Sequence, residues 1–384
     1  MLTSTARMTA SPSNRVTDRE DIVKTFRDVF PPALVQRLEE ECKLIAAYER
    51  ELPALLNGKY RTRWFPKGQE PRTAIEEAIV RLRDLVKPHS KNVGAEWWVQ
   101  LVAAGPTGMI GWHVDKDESV ASNKHYLSHP QYASIFYLTD LGGPTMITDQ
   151  WSPHGSGYTP VVAEHGYLSF PERNKYLIFH GELLHGVLSG AHNAERPAPP
   201  GAKRLTFLVN WWDYKPEEPN CSLLDYSAVK GLKTFNTREE LEAFRAEVDR
   251  SAQSPASRIP YSQRPLAPTP EKDLTTKTKQ PWYMYNFRLP GGATDSLRVP
   301  HLSHEDREQH STFHLIWHPR WFKSIRDRHD GLPGPQDYHA YNDQDYQTAP
   351  NGGSANNAAN GNGPKRRKTA AEARAERERR DREL

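Results

Sequence analysis

The chain has 384 residues, 36% hydrophobic and 26% charged, which is long enough for one catalytic-sized domain with appendages and too polar for all of it to be core. Its 2 cysteines and the lack of any apolar run of about 18 residues exclude a disulfide scaffold, a four-cysteine zinc site and a membrane-spanning helix, and favour a reducing compartment. Net charge is +3, yet residues 365–384 alone hold nine Lys/Arg against five Asp/Glu, so the body is near neutral and lacks the positive excess of a domain that grips duplex phosphates.

Residues 1–17 are Ser/Thr-rich without an apolar signal core and read as a disordered leader. An N-terminal helical region is expected over 18–93: Ile22, Val23, Phe26, Val29 and Phe30 recur at helical spacing, Leu34, Val35, Leu38, Leu44 and Ile45 resume it to 51, and Ile75, Ala78, Ile79, Leu82 and Leu85 repeat it over 73–87 before Pro88. The character then changes. Eight short β-rich runs follow, at 97–102, 109–114, 133–138, 144–147, 166–170, 175–179, 185–188 and 204–212, separated by Gly, Pro and Asn turns, as in a sandwich or jelly roll spanning 94–215. Over 216–330 a C-terminal extension is expected: a capping-box helix from Asn236 to about Val248, a linker with six prolines over 251–281, and strands at 282–289 and 312–317. Residues 331–384 read as a disordered spacer and basic tail.

The chemistry concentrates in His113-Val114-Asp115. A His and a carboxylate at i and i+2 of an extended chain point to one side and can chelate one metal ion, although the same pattern also arises as a surface turn. Asp117 shares the parity of Asp115 and stays open as the carboxylate. Further on, a strand, a turn at Gly181 and a second strand deliver His185 to a sheet interior, with His180 five residues before it as the competitor. Arg204 and Thr206 then share one face of the last strand, while Arg196 sits in a Pro-rich loop. His125 and His129, at i and i+4, could bind zinc if helical, but their surroundings read as a loop.

In this order the elements resemble the iron(II)/2-oxoglutarate-dependent dioxygenases, nearest their prolyl-4-hydroxylase-like branch, over residues 94–213. They are His113-Val114-Asp115, the strand 134–139 followed by Gly142-Gly143-Pro144-Thr145, distal His185, and Arg204-x-Thr206. The resemblance implies a mainly β fold, a double-stranded β-helix (jelly-roll or cupin-like) core with flanking N-terminal helices. It implies iron held by His113, Asp115 and His185, and 2-oxoglutarate anchored by Arg204 and Thr206 in a pocket lined by Ile135 and Tyr137, with the Tyr137 hydroxyl on the same carboxylate. The implied activity is hydroxylation of a C–H bond of a protein, peptide or small molecule using dioxygen, with release of succinate and CO2 and ascorbate as a stimulant.

Two departures stand out. Ala103-Ala104-Gly105-Pro106 replaces a tyrosine that related hydroxylases often carry, and a long insertion, 190–201, separates His185 from Arg204. Demethylases of nucleic acids or N-methyl groups in the same superfamily usually carry a second arginine where Asn210 stands, which weakens that alternative. A silent jelly-roll binding module would not need the ligand set, and a non-redox cupin would not need Arg204. Trp112 and Trp212 are candidates for substrate contact, and Trp97, Trp98 and Trp211 for core. Trp317 and Trp321 are expected to pack the extension onto the barrel. Nucleic acid is expected to reach the protein only through the basic tail, whose Lys365-Arg366-Arg367-Lys368 cluster suggests nuclear or nucleocytoplasmic localisation.

Overall fold

The computed structural model describes residues 22–51, 62–105, 107–124, 126–152, 158–160, 163, 165–190, 198–216, 221–252, 282–288, 294–300 and 312–316, the last three stretches mainly as backbone. The leader, the Pro-rich linker, Arg196, His125, Trp317, Trp321 and the tail lie outside them. Two units divide the chain, 1–342 and 343–384, and every described residue belongs to the first.

Eight strands make the core: β3 (Gly94–Ala103), β4 (Ile110–His113), β5 (Tyr132–Tyr137), β6 (Thr145–Trp151), β7 (His165–Ser169), β8 (Lys175–His180), β9 (Leu183–Val187) and β10 (Lys203–Trp212). They divide between two sheets, in the orders β8-β5-β10-β3 and β7-β6-β9-β4, every pairing antiparallel. The chain therefore winds back and forth between two facing layers, which is a double-stranded β-helix. All eight expected runs are strands, with bounds shifted by at most four residues.

Further strands extend the layers. The larger sheet gains β1 (Val23–Phe26) beside β8, then β2 (Thr62–Pro66) and β11 (Cys221–Ser222) beyond β3. The smaller gains β14 (Thr312–Ile316) on β7, so the C-terminal extension contributes a strand to the core, while β12 (Trp282–Arg288) and β13 (Thr294–Pro300) pair with each other. The helix expected from 18 is a correction: Val23–Phe26 is strand, and helix α1 begins only at Pro32, running to Glu51. Four residues offer too few repeats to separate a period of 3.6 from one of 2, and the edge of β8 satisfies the backbone of Val23–Phe26 instead.

Alternation on the strands gives the larger sheet two different faces. Phe136 and Leu138, Tyr176 and Ile178, and Leu205, Phe207, Val209 and Trp211 point outward into the main core, where α1, α2 (Ala74–Val86) and Val248 of α4 (Arg238–Ala252) cover them. Helix α2 has the ends its sequence calls for: Thr73 accepts from the Glu76 amide at 3.2 Å, and Lys87 closes it at φ 49 just before Pro88. Ile135, Tyr137, Leu177 and Phe179 point inward and meet Ile147, Tyr167 and Leu183 of the smaller sheet. The site lies in this inner layer.

Candidate metal and anion site

Antiparallel pairing of β4 with β9 sets His113 directly opposite His185, with ring centroids 4.3 Å apart. Asp115, just past the end of β4, brings its Oδ1 to 3.8 Å from the Nε2 of each histidine. Among the described residues these three form the one group whose ligand atoms, all within 4.8 Å of each other, could hold a metal ion. Exposure falls from 38% at His113 to 13% at Asp115 and 7% at His185, so the cluster opens on the His113 side.

Hydrogen bonds aim all three donors. The Nδ1 of His113 lies 2.7 Å from the Gly111 carbonyl and that of His185 2.9 Å from the Leu183 carbonyl. Each imidazole thus keeps its proton on Nδ1 and presents the Nε2 lone pair. Burial, reinforced by the neighbouring His113 ring and opposed by Asp115, pulls His185 down to about 4, so its ring is neutral at physiological pH, as ligation requires. Asn210, on the inner face of β10, donates from Nδ2 to Asp115 Oδ2 at 3.1 Å, turning Oδ1 toward the histidines. His129 donates from Nδ1 to the Asp115 carbonyl at 2.6 Å.

The competing assignments separate cleanly. Asp117 caps helix α3 (Glu118–Lys124), accepting from the Val120 amide at 3.0 Å, and also accepts from the Tyr214 hydroxyl at 3.2 Å. It is not turned to the histidines. His180 lies against Tyr132, rings 5.3 Å apart, across β8 and β5. The short helix α3 was not expected in the loop 116–132.

At the other end of the inner layer, Arg204 is 1% exposed, and Tyr137, Thr145 and Thr206 are fully buried around it. Its guanidinium donates to Thr145 Oγ1 at 3.1 Å and to Thr206 Oγ1 at 3.4 Å, and its Cζ lies 5.3 Å from the Tyr137 ring centre. Tyr137 donates its hydroxyl to Thr145 Oγ1 at 2.9 Å. Arg204 Nε makes no hydrogen bond, and burial pulls the guanidinium pKa downward while Tyr137 opposes it. A buried planar cation with hydroxyl partners and an idle N–H is poised for an anion. Gly142 makes room for it: at φ +98, a Cβ there would fall 2.8 Å from Arg204 Cβ. The expectation for Arg204 and Thr206 thus finds them together, and Ile135 lies on the same inner face. Thr145 is a partner the sequence reading passed over.

The two clusters are joined by strand geometry. Ile147 is paired with His185 across β6 and β9, and Thr145, which touches Arg204, is two residues earlier on β6, about 7 Å along the strand on the same face. Apolar side chains of the inner cluster adjoin the interval: Ile135, Ile147, Leu177 and Phe179, whose ring meets His185 edge-on at 4.8 Å.

Two expectations need correction. Trp212 is 1% exposed, packs with Trp64 and Cys221, and donates from Nε1 to Glu96 Oε2 at 2.8 Å, so it offers no surface to a substrate. Trp98 is half-buried rather than core, whereas Trp97 and Trp211 are fully buried and Trp112 half-buried on β4. Glu96 sits opposite Asn210 across β3 and β10; burial pushes it up to about 7, against hydrogen bonds from Thr62 and Trp212, and the charges of Asp115 and Asp117 push it the same way.

No family model matches the chain and no curated protein does. Among solved structures it is similar to a prolyl-4-hydroxylase from Pseudomonas putida, at 18% identity over 52% of this chain and 88% of that one, TM-score 0.31. It is also similar to the nickel complex of the non-heme monooxygenase ThoJ (12% identity, 61% and 95%, TM-score 0.33). A third is HygX from Streptomyces hygroscopicus with nickel and 2-oxoglutarate bound (12% identity, 55% and 90%, TM-score 0.30). At these scores the case for function stands on the chain's own residues.

Proposed function

We propose that the chain is an iron(II)- and 2-oxoglutarate-dependent dioxygenase that hydroxylates a C–H bond of a protein, peptide or small molecule. The observation that carries this reading is one inner surface that holds both an open two-histidine, one-carboxylate set and a buried arginine with an unused N–H, the arginine touching Thr145, which stands two residues along β6 from the residue opposite His185. Either alone has other uses. Together they match a five-carbon 2-oxo dicarboxylate, held at its 2-oxo acid end by the metal and at its far carboxylate by Arg204.

The donor set fits divalent iron: two neutral imidazoles and a carboxylate on one face leave the opposite coordination positions free. When bound, iron and the 2-oxo acid supply the oxidation, in which dioxygen places one atom in succinate and one in the substrate as CO2 leaves. Everything else is done by the chain. The Gly111 and Leu183 carbonyls fix the tautomers of His113 and His185, Asn210 fixes the carboxylate of Asp115, and Arg204 with Thr145 and Thr206 holds the distal carboxylate in a bidentate-capable geometry. Ile135, Ile147 and Phe179 exclude water from the space between. Substrate enters on the more exposed His113 side, toward half-buried Trp112.

The test is succinate formation by the purified full chain offered 2-oxoglutarate, iron(II) and air, with protein and metabolite extracts as source of substrate. Succinate that requires both iron and dioxygen, and disappears in Asp115→Ala, supports the reading; binding of neither iron nor 2-oxoglutarate leaves a silent jelly roll. A nuclear destination set by the tail at 365–384 belongs to the same proposal and is tested by following a chain lacking residues 347–384 in cells, where unchanged distribution refutes it.

A further inference from the structure

Arg204 is not the only cation buried at the anion end of the inner layer. Lys175, the first residue of β8, is fully buried. Cross-strand register places it in one row with the site: Lys175 pairs with Tyr137 across β8 and β5, and Tyr137 pairs with Thr206 across β5 and β10. Leu177 and Phe179, two and four residues further along β8, point inward, so strand parity points Lys175 inward too. Its Nζ donates to the Phe170 carbonyl and lies 4.9 Å from the centre of the Tyr137 ring, the same ring that has Arg204 Cζ at 5.3 Å. One aromatic ring, whose hydroxyl reaches Thr145 beside Arg204, thus has two cations against it.

A lysine makes poor filler for such a place. Burying an ammonium is costly, and a methionine would fill the same volume without that cost. Resting on the proposed function, we propose that Lys175 is a second cation of the co-substrate pocket, a positioning residue that takes up a proton when a dicarboxylate binds beside Arg204 and loses it when the dicarboxylate leaves.

The charged groups around Lys175 are consistent with a proton that is easily lost in the empty pocket. Burial is the main cause that brings its pKa down to about 7; Arg27 and Arg204 act in the same direction, and Glu172 and Asp140 oppose them. Glu172 pairs with Arg27 at 2.9 Å, and Asp140 accepts from the Arg173 amide at 2.6 Å. A carboxylate arriving at Arg204 adds a negative charge near the Tyr137 ring that Lys175 Nζ also meets and raises the lysine pKa. Affinity for that carboxylate is therefore highest where Lys175 is already protonated and falls as pH rises through about 7.

The experiment is calorimetry on the full chain loaded with nickel(II), titrated at several pH values between 6.5 and 9 in pairs of buffers that differ in heat of ionisation. One ligand is 2-oxoglutarate; the other is 2-oxovalerate, the five-carbon mono-acid with the same metal-binding end and no distal carboxylate. We expect 2-oxoglutarate to bind with net proton uptake above neutral pH and to lose up to about tenfold in affinity per pH unit there, while 2-oxovalerate shows neither. Lys175→Met is expected to abolish the uptake, flatten the pH dependence and weaken 2-oxoglutarate at pH 7 about tenfold, and Lys175→Arg to keep the affinity without the uptake. The two ligands on the wild-type chain decide the matter even if a variant fails to fold: equal proton uptake with both overturns the inference. So does a Lys175→Met chain that binds 2-oxoglutarate with wild-type affinity and pH slope while Arg204→Leu loses it, a result that leaves the proposed function standing. Undiminished binding in Arg204→Leu defeats both.

Discussion

The two faces of the seven-stranded sheet are built from the same strands and carry opposite chemistry. Outward, Phe136, Tyr176, Phe207, Val209 and Trp211 meet helices α1 and α2 in a predominantly apolar core. Inward, the alternating residues of the same strands include Tyr137, Lys175, Arg204, Thr206 and Asn210, all buried and all polar, beside apolar Ile135, Leu177 and Phe179. A strand must place successive side chains on opposite sides, so β10 delivers Leu205, Phe207, Val209 and Trp211 to the core and Arg204, Thr206 and Asn210 to the site in a single pass. The outer face supplies stability and rigidity; the inner face accepts the cost of buried charge and holds it in fixed geometry.

That division can be broken from either side. The largest effect is expected at the metal ligands: Asp115→Ala or His185→Ala should abolish iron-dependent succinate formation and metal binding while far-ultraviolet circular dichroism stays native, whereas Leu38→Ala on the outer side should cost about 2–5 kcal/mol of stability in denaturant titration and leave metal affinity unchanged. Next is Arg204→Leu, which leaves an incoming carboxylate unpaired and should weaken 2-oxoglutarate binding on the order of a hundredfold or more. Asn210→Leu removes the bond that orients Asp115 and should lower metal affinity about 10–100-fold, measured by competition with a chelator, with a milder effect on 2-oxoglutarate.

Smaller effects are expected where the inner face runs out. Glu96 has its pKa raised from 4.5 to about 7, so ionising it opposes folding: the metal-free protein should be most stable below about pH 4.5 as far as this group is concerned, and lose that contribution as pH rises to about 7. Glu96→Gln should flatten that stretch of the stability profile in thermal denaturation. Trp212→Phe removes the indole donor to Glu96 and should cost about 1–3 kcal/mol with no change in the Michaelis constant of any substrate, the opposite of what a substrate-contacting tryptophan would do.

The residues that were legible in the sequence are those whose role depends on local pattern. His113 and Asp115 are two apart, His185 follows a turn at Gly181, and Arg204 and Thr206 alternate on an evidently β strand, so each could be placed without knowing the partners of its strand. Thr145, Lys175 and the bond from Asn210 to Asp115 needed register, because their meaning comes from what lies across β6, β8 and β10, and one chain does not reveal pairings between strands far apart in sequence. Trp212 is instructive for the same reason. Its parity put it correctly on the face of Arg204, but it stands at the far end of β10, where β2 and β11 bring Trp64 and Cys221 over its ring. Val23–Phe26 failed differently, since four residues carry both periods and only the free edge of β8 decides between them.

The central claim, that one inner surface joins a metal to a distal anion site, is tested most directly by titrating 2-oxoglutarate without oxygen into the metal-free chain, the iron(II)-loaded chain, and iron(II)-treated Asp115→Ala and Arg204→Leu. The account predicts tight binding only to the loaded wild-type chain, with each variant losing it from its own end of the pocket. Equal binding with and without iron, or binding that survives in both variants, would contradict it.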